Sequence, residues 1–377
     1  MGYLDYNATT PLAPEALEAM LPFLREEFGN ASSIHAPGRR ARAAIDDSRD
    51  RLAALLGARP HEIIFTGGGT ESVNLGIIGL ALARGDAGGH VITAATEHHA
   101  VLHATEFLQK RHGFEVTILP VDTLGRVDPN ELAAAIRTDT ALVSIMSANN
   151  ETGTLQPLAE IAAACQERNV LFHSDMVQSF GKLPVRPHEM GITALSIAGH
   201  KFYGPKGAGA LFLKAGISLQ TLHHGGSHEN QRRPGTENVS AIAGMAAAAE
   251  VVHEGMAVEQ ERQGTLRDWL WEGIRTEFST AIRNGHTEET LDNTLNISFP
   301  GADGETLLIG LDMEGVCASS GSACMVGSVQ PSHVLLAMGL PLEAASATIR
   351  FSLGKPTTGA EIEGALDALS RVLERQN

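Results

Sequence analysis

Two hydrophobic periods alternate along most of this chain. Apolar residues recur every three to four positions over 13–27, 37–57, 70–84, 99–112, 128–137 and 156–168, which predicts helices there. Among them stand short unbroken apolar runs at 62–66, 91–95, 115–119, 141–146, 170–173 and 194–198. Runs of that length without alternation predict strands buried on both faces. Strands flanked by helices predict βαβ units and a mostly parallel sheet covered on both sides.

The order changes after about residue 237. Two long helices are predicted over 237–258 and 259–279, then strands at 293–299, 315–318 and 348–353, and a last helix near 358–376. The expected architecture is α/β: a large, mostly parallel-sheet domain followed by a smaller α+β domain. No repeat or low-complexity linker separates them, so a helix is expected at the boundary.

Composition narrows the function. The chain has 377 residues, 43% hydrophobic and 19% charged, which fits a soluble globular protein of roughly two domains. Its 28 basic and 44 acidic residues leave a net charge of −16, so nucleic acid is a poor partner. The basic cluster Arg39, Arg40 and Arg42 reads as a solvated helix face. No stretch approaches the ~20 apolar residues of a membrane span. The start, MGYLDY, has no leader pattern, and a cytoplasmic location is expected. Cys165, Cys317 and Cys324 include no CxxC pair, which argues against a disulfide framework or a zinc ribbon.

Four segments carry candidate chemistry. Residues 66–72, TGGGTES, join a strand to a helix, where backbone N–H groups and the Thr70 hydroxyl make a phosphate site or a plain turn. Asp175 follows a buried strand, where it can hold a protonated ring nitrogen or cap a helix. Lys201 follows another strand inside a Gly/Pro-rich turn, a setting for Schiff-base chemistry. Cys324 lies among small polar residues, as an exposed reactive thiol does, whereas Cys165 and Cys317 read as packing residues. His99 and His103 have the spacing of a metal pair, with Glu97, His98 and the group His223, His224 and His228 as further ligands, but solvent-facing or satisfied histidines are expected and no metal is assigned.

Taken in order, these segments resemble the pyridoxal-phosphate-dependent cysteine desulfurases of the class V aminotransferase family, in their long-loop, NifS/IscS-like group. The resemblance runs over nearly the whole chain. It is carried by residues 4–10 (LDYNATT), 28–30 (FGN), 70–72 (TES), Glu97 and His98, 149–153 (NNETG), Asp175 with Gln178, 199–201 (GHK), 233–238 (RPGTEN), Ser319 with 321–324 (GSAC) and 349–352 (IRFS). It implies fold type I, with a large cofactor-binding domain over 13–240. Residues 1–12 and 241–377 would then form the small domain that carries the cysteine loop.

The resemblance also implies roles. Lys201 would hold the cofactor as a Schiff base and move the Cα proton of L-cysteine. Asp175 would pair with the ring nitrogen, His98 stack on the ring and move protons, and Gln178 and Asn150 lie at the phenolic edge. Gly69, Thr70 and His200 would hold the phosphate, with Thr236 reaching it from the other subunit of a homodimer. Arg350, with Asn150 nearby, would bind the substrate carboxylate, and Cys324 would take the sulfur as a persulfide. The product is L-alanine, and the sulfur goes to an acceptor or scaffold protein for iron–sulfur cluster assembly or thio-modification, with a transient cluster contact at Cys324 as one form. Alternatives are a selenocysteine lyase or another lyase on the same scaffold, a scaffold that acts chiefly by binding partners, and, remotely, a histidine metallohydrolase. Two departures stand out: Ala198 replaces a usual serine three residues before the lysine, and Met325 and Val326 follow the cysteine where small or hydroxyl residues are common.

Overall fold

The computed structural model describes residues 2–84, 88–320 and 331–375. Numbering the strands along the chain gives β1 (Gly2–Tyr3), β2 (Ile63–Thr66), β3 (Gly89–Ala94), β4 (Phe114–Leu119), β5 (Thr140–Ser144), β6 (Leu171–Asp175), β7 (Ala194–Ala198) and β8 (Gly209–Leu213). Four more follow: β9 (Ile282–Asn284), β10 (Thr294–Ser298), β11 (Val316–Cys317) and β12 (Thr348–Ser352). The main sheet has seven strands in the order β2-β8-β7-β6-β5-β3-β4. All neighbours are parallel except β8, which runs antiparallel to both β2 and β7. The sequence pattern misses β8, because it follows a Gly/Pro-rich turn with no helix before it.

Successive side chains of these strands enter opposite layers, as the pleat requires. Ile64, Val91, Leu142 and Leu211 meet the helices Gly69–Arg84 and His99–His112 on one face. Phe65, Ile92, Val143 and Phe212 meet Ala36–Leu56, Leu158–Glu167 and Val239–Glu254 on the other. Both faces are covered, which is why these strands lack polar alternation.

A second core forms around the antiparallel sheet β12-β10-β9 and the helices Met256–Glu277 and Gly359–Glu374, with Leu270, Ile297, Phe351 and Leu369 at its centre. β1 pairs in parallel with β11 and brings the N-terminal segment into this body. The two cores divide after Val239–Glu254 rather than at residue 240, since Ile242, Met245 and Ala249 of that helix belong to the first core. Its small residues permit the close approach: a Cβ at Gly244 would lie 2.6 Å from Met20 Cγ of the helix Pro14–Arg25. Among the described residues no single helix is long and apolar enough to cross a membrane.

Candidate active site

Five segments leave the C-terminal ends of parallel strands or of β2 at one edge of the large sheet. Gly67–Gly69 follows β2, His98 follows β3, Asn150 follows β5, Gln178 follows β6 and Lys201 follows β7. That edge is where open α/β sheets place ligands. The second core closes it, and a cavity of about 430 Å³ remains between them, lined among others by Gly69, Thr70, His98, Asn150, Asp175, Gln178, His200, Lys201 and Arg350. Every residue expected at the site is in this cavity except two. Thr236 is exposed and lies outside it, beside Gly67 and Arg233. Cys324 lies outside the described residues, as do Gly321, Ser322, Ala323, Met325 and Val326.

Asp175 ends β6, and its Oδ1 accepts a hydrogen bond from Val177 N at 2.9 Å. Burial pushes its pKa up to about 6, against this bond and the pull of Lys201. Two residues earlier, His173 sits between Ser144 Oγ at 2.9 Å and Ser196 Oγ at 3.0 Å, and burial holds it neutral with a pKa of about 3. His98 caps the helix His99–His112, accepting from Ala100 N through Nδ1 at 3.0 Å. Burial, then Lys201 and the neighbouring histidines, lower its pKa to about 4, so a neutral ring borders the cavity.

Lys201 closes a single 3₁₀ turn after β7, and its Nζ donates to the carbonyls of Asn7 at 2.7 Å and Ala8 at 2.9 Å. The turn is pinned by Tyr203, left-handed at φ 67°, whose N–H donates to Thr10 Oγ1 at 2.8 Å. His200 Nδ1 is 3.1 Å from Thr9 Oγ1, and its pKa falls to about 4 through burial and the charges of Lys201 and Lys206. Arg350, on β12, is buried and reaches Asp5 Oδ1 at 2.6 Å and the Asn150 carbonyl at 3.0 Å, while its Nε has no hydrogen-bond partner among the described residues.

The N-terminal residues Asp5, Asn7 and Ala8 thus build part of the site, as does Lys182, whose Nζ donates to Asn7 Oδ1 and Gln178 Oε1. Their sequence pattern alone gives them no role. The only available signal was the LDYNATT segment that carries part of the resemblance. His99 lies with its ring against His103 and His333, and no metal-binding group of three forms among the described residues.

Residues 2–364 match the family model Aminotransferase class-V. The chain is 49% identical to a cysteine desulfurase IscS of Dictyoglomus turgidum, over 99% of this chain and 94% of that protein. Among solved structures it superimposes on a NifS-like protein with a TM-score of 0.93 at 36% identity, covering all of both chains. It also matches SspA in complex with cysteine, with a TM-score of 0.82 at 37% identity over 94% of this chain and 99% of that one. The chain belongs to the class-V aminotransferase family, among its IscS- and NifS-like cysteine desulfurases. It is accordingly a pyridoxal-phosphate-dependent enzyme of fold type I.

The cavity fits that cofactor on its own chemistry. At the start of the helix Gly69–Arg84, a Cβ on residue 69 would lie 3.0 Å from Val177 Cγ2 and 3.2 Å from Ala198 Cβ, so glycine keeps the backbone open to a phosphate. Asp175 is a buried carboxylate that accepts from one backbone N–H and feels the charge of Lys201, and a protonated ring nitrogen would add a counter-charge at the carboxylate itself.

Proposed function

We propose that the chain converts L-cysteine to L-alanine and passes the sulfur through Cys324 to an acceptor. The observation that carries this reading is the convergence of Asp175, Lys201 and Arg350 on one cavity. Pyridoxal phosphate, when bound, supplies an electron-withdrawing ring that stabilises negative charge at the substrate Cα. Arg350 offers its guanidinium to the substrate carboxylate from the cavity wall. The Lys201 amine accepts the Cα proton and later returns one to the product. The Cys324 thiolate takes the sulfur: the substrate C–S bond breaks, an S–S bond forms, and cysteine plus thiol becomes alanine plus persulfide. The cysteine complex of SspA supports the same substrate here.

Two described residues support a Cys324 that serves this cavity. Ser319 exchanges backbone hydrogen bonds with Arg350, and Ser332 Oγ donates to Glu151 Oε2 at 2.5 Å. The chain therefore enters and leaves residues 321–330 from anchored positions beside the site. Thr236, exposed and outside the cavity, fits a homodimer in which it serves the other copy. The reading extends to delivery for iron–sulfur assembly, in keeping with the IscS names of the relatives, or for thio-modification, in a cytoplasmic setting.

The test uses purified protein loaded with pyridoxal phosphate. Adding L-cysteine should perturb its visible absorption band and release alanine in step with persulfide. Cys324→Ser should keep the spectral change and lose the persulfide. Cys165→Ala should keep both, because that thiol is buried with its pKa pushed up to about 12 and stays unreactive. Persulfide formation that survives in Cys324→Ser would overturn the assignment.

A further inference from the structure

We propose that Lys182 is a positioning residue for this cavity: its ammonium fixes the Gln178 amide with oxygen outward and nitrogen inward, and holds Asn7, whose carbonyl receives Lys201. The proposal rests on the reading above, which gives Lys182 no part. In the sequence this lysine looks like an ordinary surface group one turn after Gln178.

The structure turns it inward. Its Nζ lies 3.0 Å from Asn7 Oδ1 and 2.9 Å from Gln178 Oε1. An ammonium has three donors and no acceptor, so both amides must show it their oxygen. Gln178 Nε2 is then committed to the other side, where it donates to the Asn7 carbonyl at 2.9 Å and leaves its second N–H as the amide's offering to the cavity. The Asn7 carbonyl also accepts from Lys201, at 2.7 Å. Asn7 itself is held by Thr294 Oγ1 and Asn293 Nδ2, at 2.9 and 3.1 Å. Lys182 thus connects two side-chain amides, both tied to the residue whose backbone carbonyl receives Lys201.

In its protonated form it also places a second cation near that amine. Burial, then the charges of Lys201 and Arg350, lower the pKa of Lys182 to about 7. From the far side it shares a small cavity with Tyr6, Tyr203, Glu259 and Lys355. Around Lys201 the remaining groups are Asp175, His98, His200 and Arg350 with its partner Asp5. The two histidines are held neutral, so Arg350 in the main cavity and Lys182 are cations beside Lys201, with Lys355 and the Glu259 carboxylate facing it from the small cavity. A like charge disfavours the protonated form of its neighbour.

The experiment is a pH titration of the visible band of the cofactor-loaded protein, alongside the rate of cofactor loss on dialysis and the melting temperature. Lys182→Met and Lys182→Gln remove the charge and the obligate donor, and Lys182→Arg keeps both. Removing the charge should raise the spectral midpoint by about one pH unit and speed cofactor loss several-fold, with Arg close to the parent. If the Met variant does not fold, Gln and Arg carry the comparison. A folded Gln variant with the parent's midpoint overturns the proposal, as does an Arg variant shifted as far as Gln. A parent protein with no visible band overturns the cofactor reading itself, and this proposal with it.

Discussion

Asp5 and Arg350, 345 positions apart in the chain, form a 2.6 Å ion pair at the wall of the cavity. Arg350 is almost fully buried, with 4% of its side chain exposed against 19% for Asp5. A buried guanidinium needs a partner, and Asp5 occupies one nitrogen while the Asn150 carbonyl occupies another.

Under the proposed function, Asp5 orients Arg350 for the substrate carboxylate. Asp5→Asn keeps an acceptor but weakens the bond by about 1–2 kcal/mol, in the range for hydrogen bonds to charged groups. The KM for L-cysteine should rise roughly 5- to 30-fold with kcat little changed. Steady-state alanine formation measures both constants. A lower KM would mean that Asp5 competes with the substrate for Arg350.

The Asp175 carboxylate should destabilise the cofactor-free fold at neutral pH. Its pKa rises from 3.8 to about 6 on burial, so its favourable contribution is complete below pH 3.8 and is lost as pH rises through 6. Asp175→Asn removes the charge and keeps the acceptor for Val177 N. Urea unfolding of cofactor-free protein should show the variant more stable at pH 7.5, by up to roughly 3 kcal/mol. The advantage should vanish near pH 4, and the variant should hold pyridoxal phosphate more weakly. Equal stability at pH 7.5 would count against a buried, uncompensated carboxylate.

Ala198 stands buried against the Gly69 cradle, where the family usually has serine. A hydroxyl there can donate to the phosphate. Ala198→Ser should slow cofactor loss on dialysis by up to about tenfold, the worth of ~1.4 kcal/mol, without lowering the melting temperature of the cofactor-free protein. Unchanged retention would indicate that the phosphate already has all the donors it can use.

Much of this site is readable in one dimension because catalytic segments follow strands, and buried parallel strands stand out as plain apolar runs. Asp175, Lys201 and Gly69 are found that way. Three features escape for physical reasons. The helix Val239–Glu254 is Ala-rich and apolar all round, so nothing in its pattern says which core it joins. Lys182 has the composition of a solvated residue, and only the fold reveals that its amine is turned onto two amides. Asn7 acts largely through its backbone carbonyl, which any residue type possesses.

The N-terminal strap has a consequence for how the molecule is made. Asn7 N–H is received by Ser352 Oγ at 2.9 Å, and Tyr6 N–H by the Ser352 carbonyl. A ribosome delivers Asn7 ahead of Ser352 by 345 residues. At roughly 5–20 residues per second, the strap waits tens of seconds for its dock. The large sheet, complete by Leu213, has what it needs to fold during that interval. The segment that offers Lys201 the carbonyls of Asn7 and Ala8 gains its anchor on β12 only once Ser352 has been made. A nascent chain therefore stays without a finished cavity until β12, which brings Arg350 to its wall, has been made, and a chain that stalls before β12 carries Lys201 without that wall.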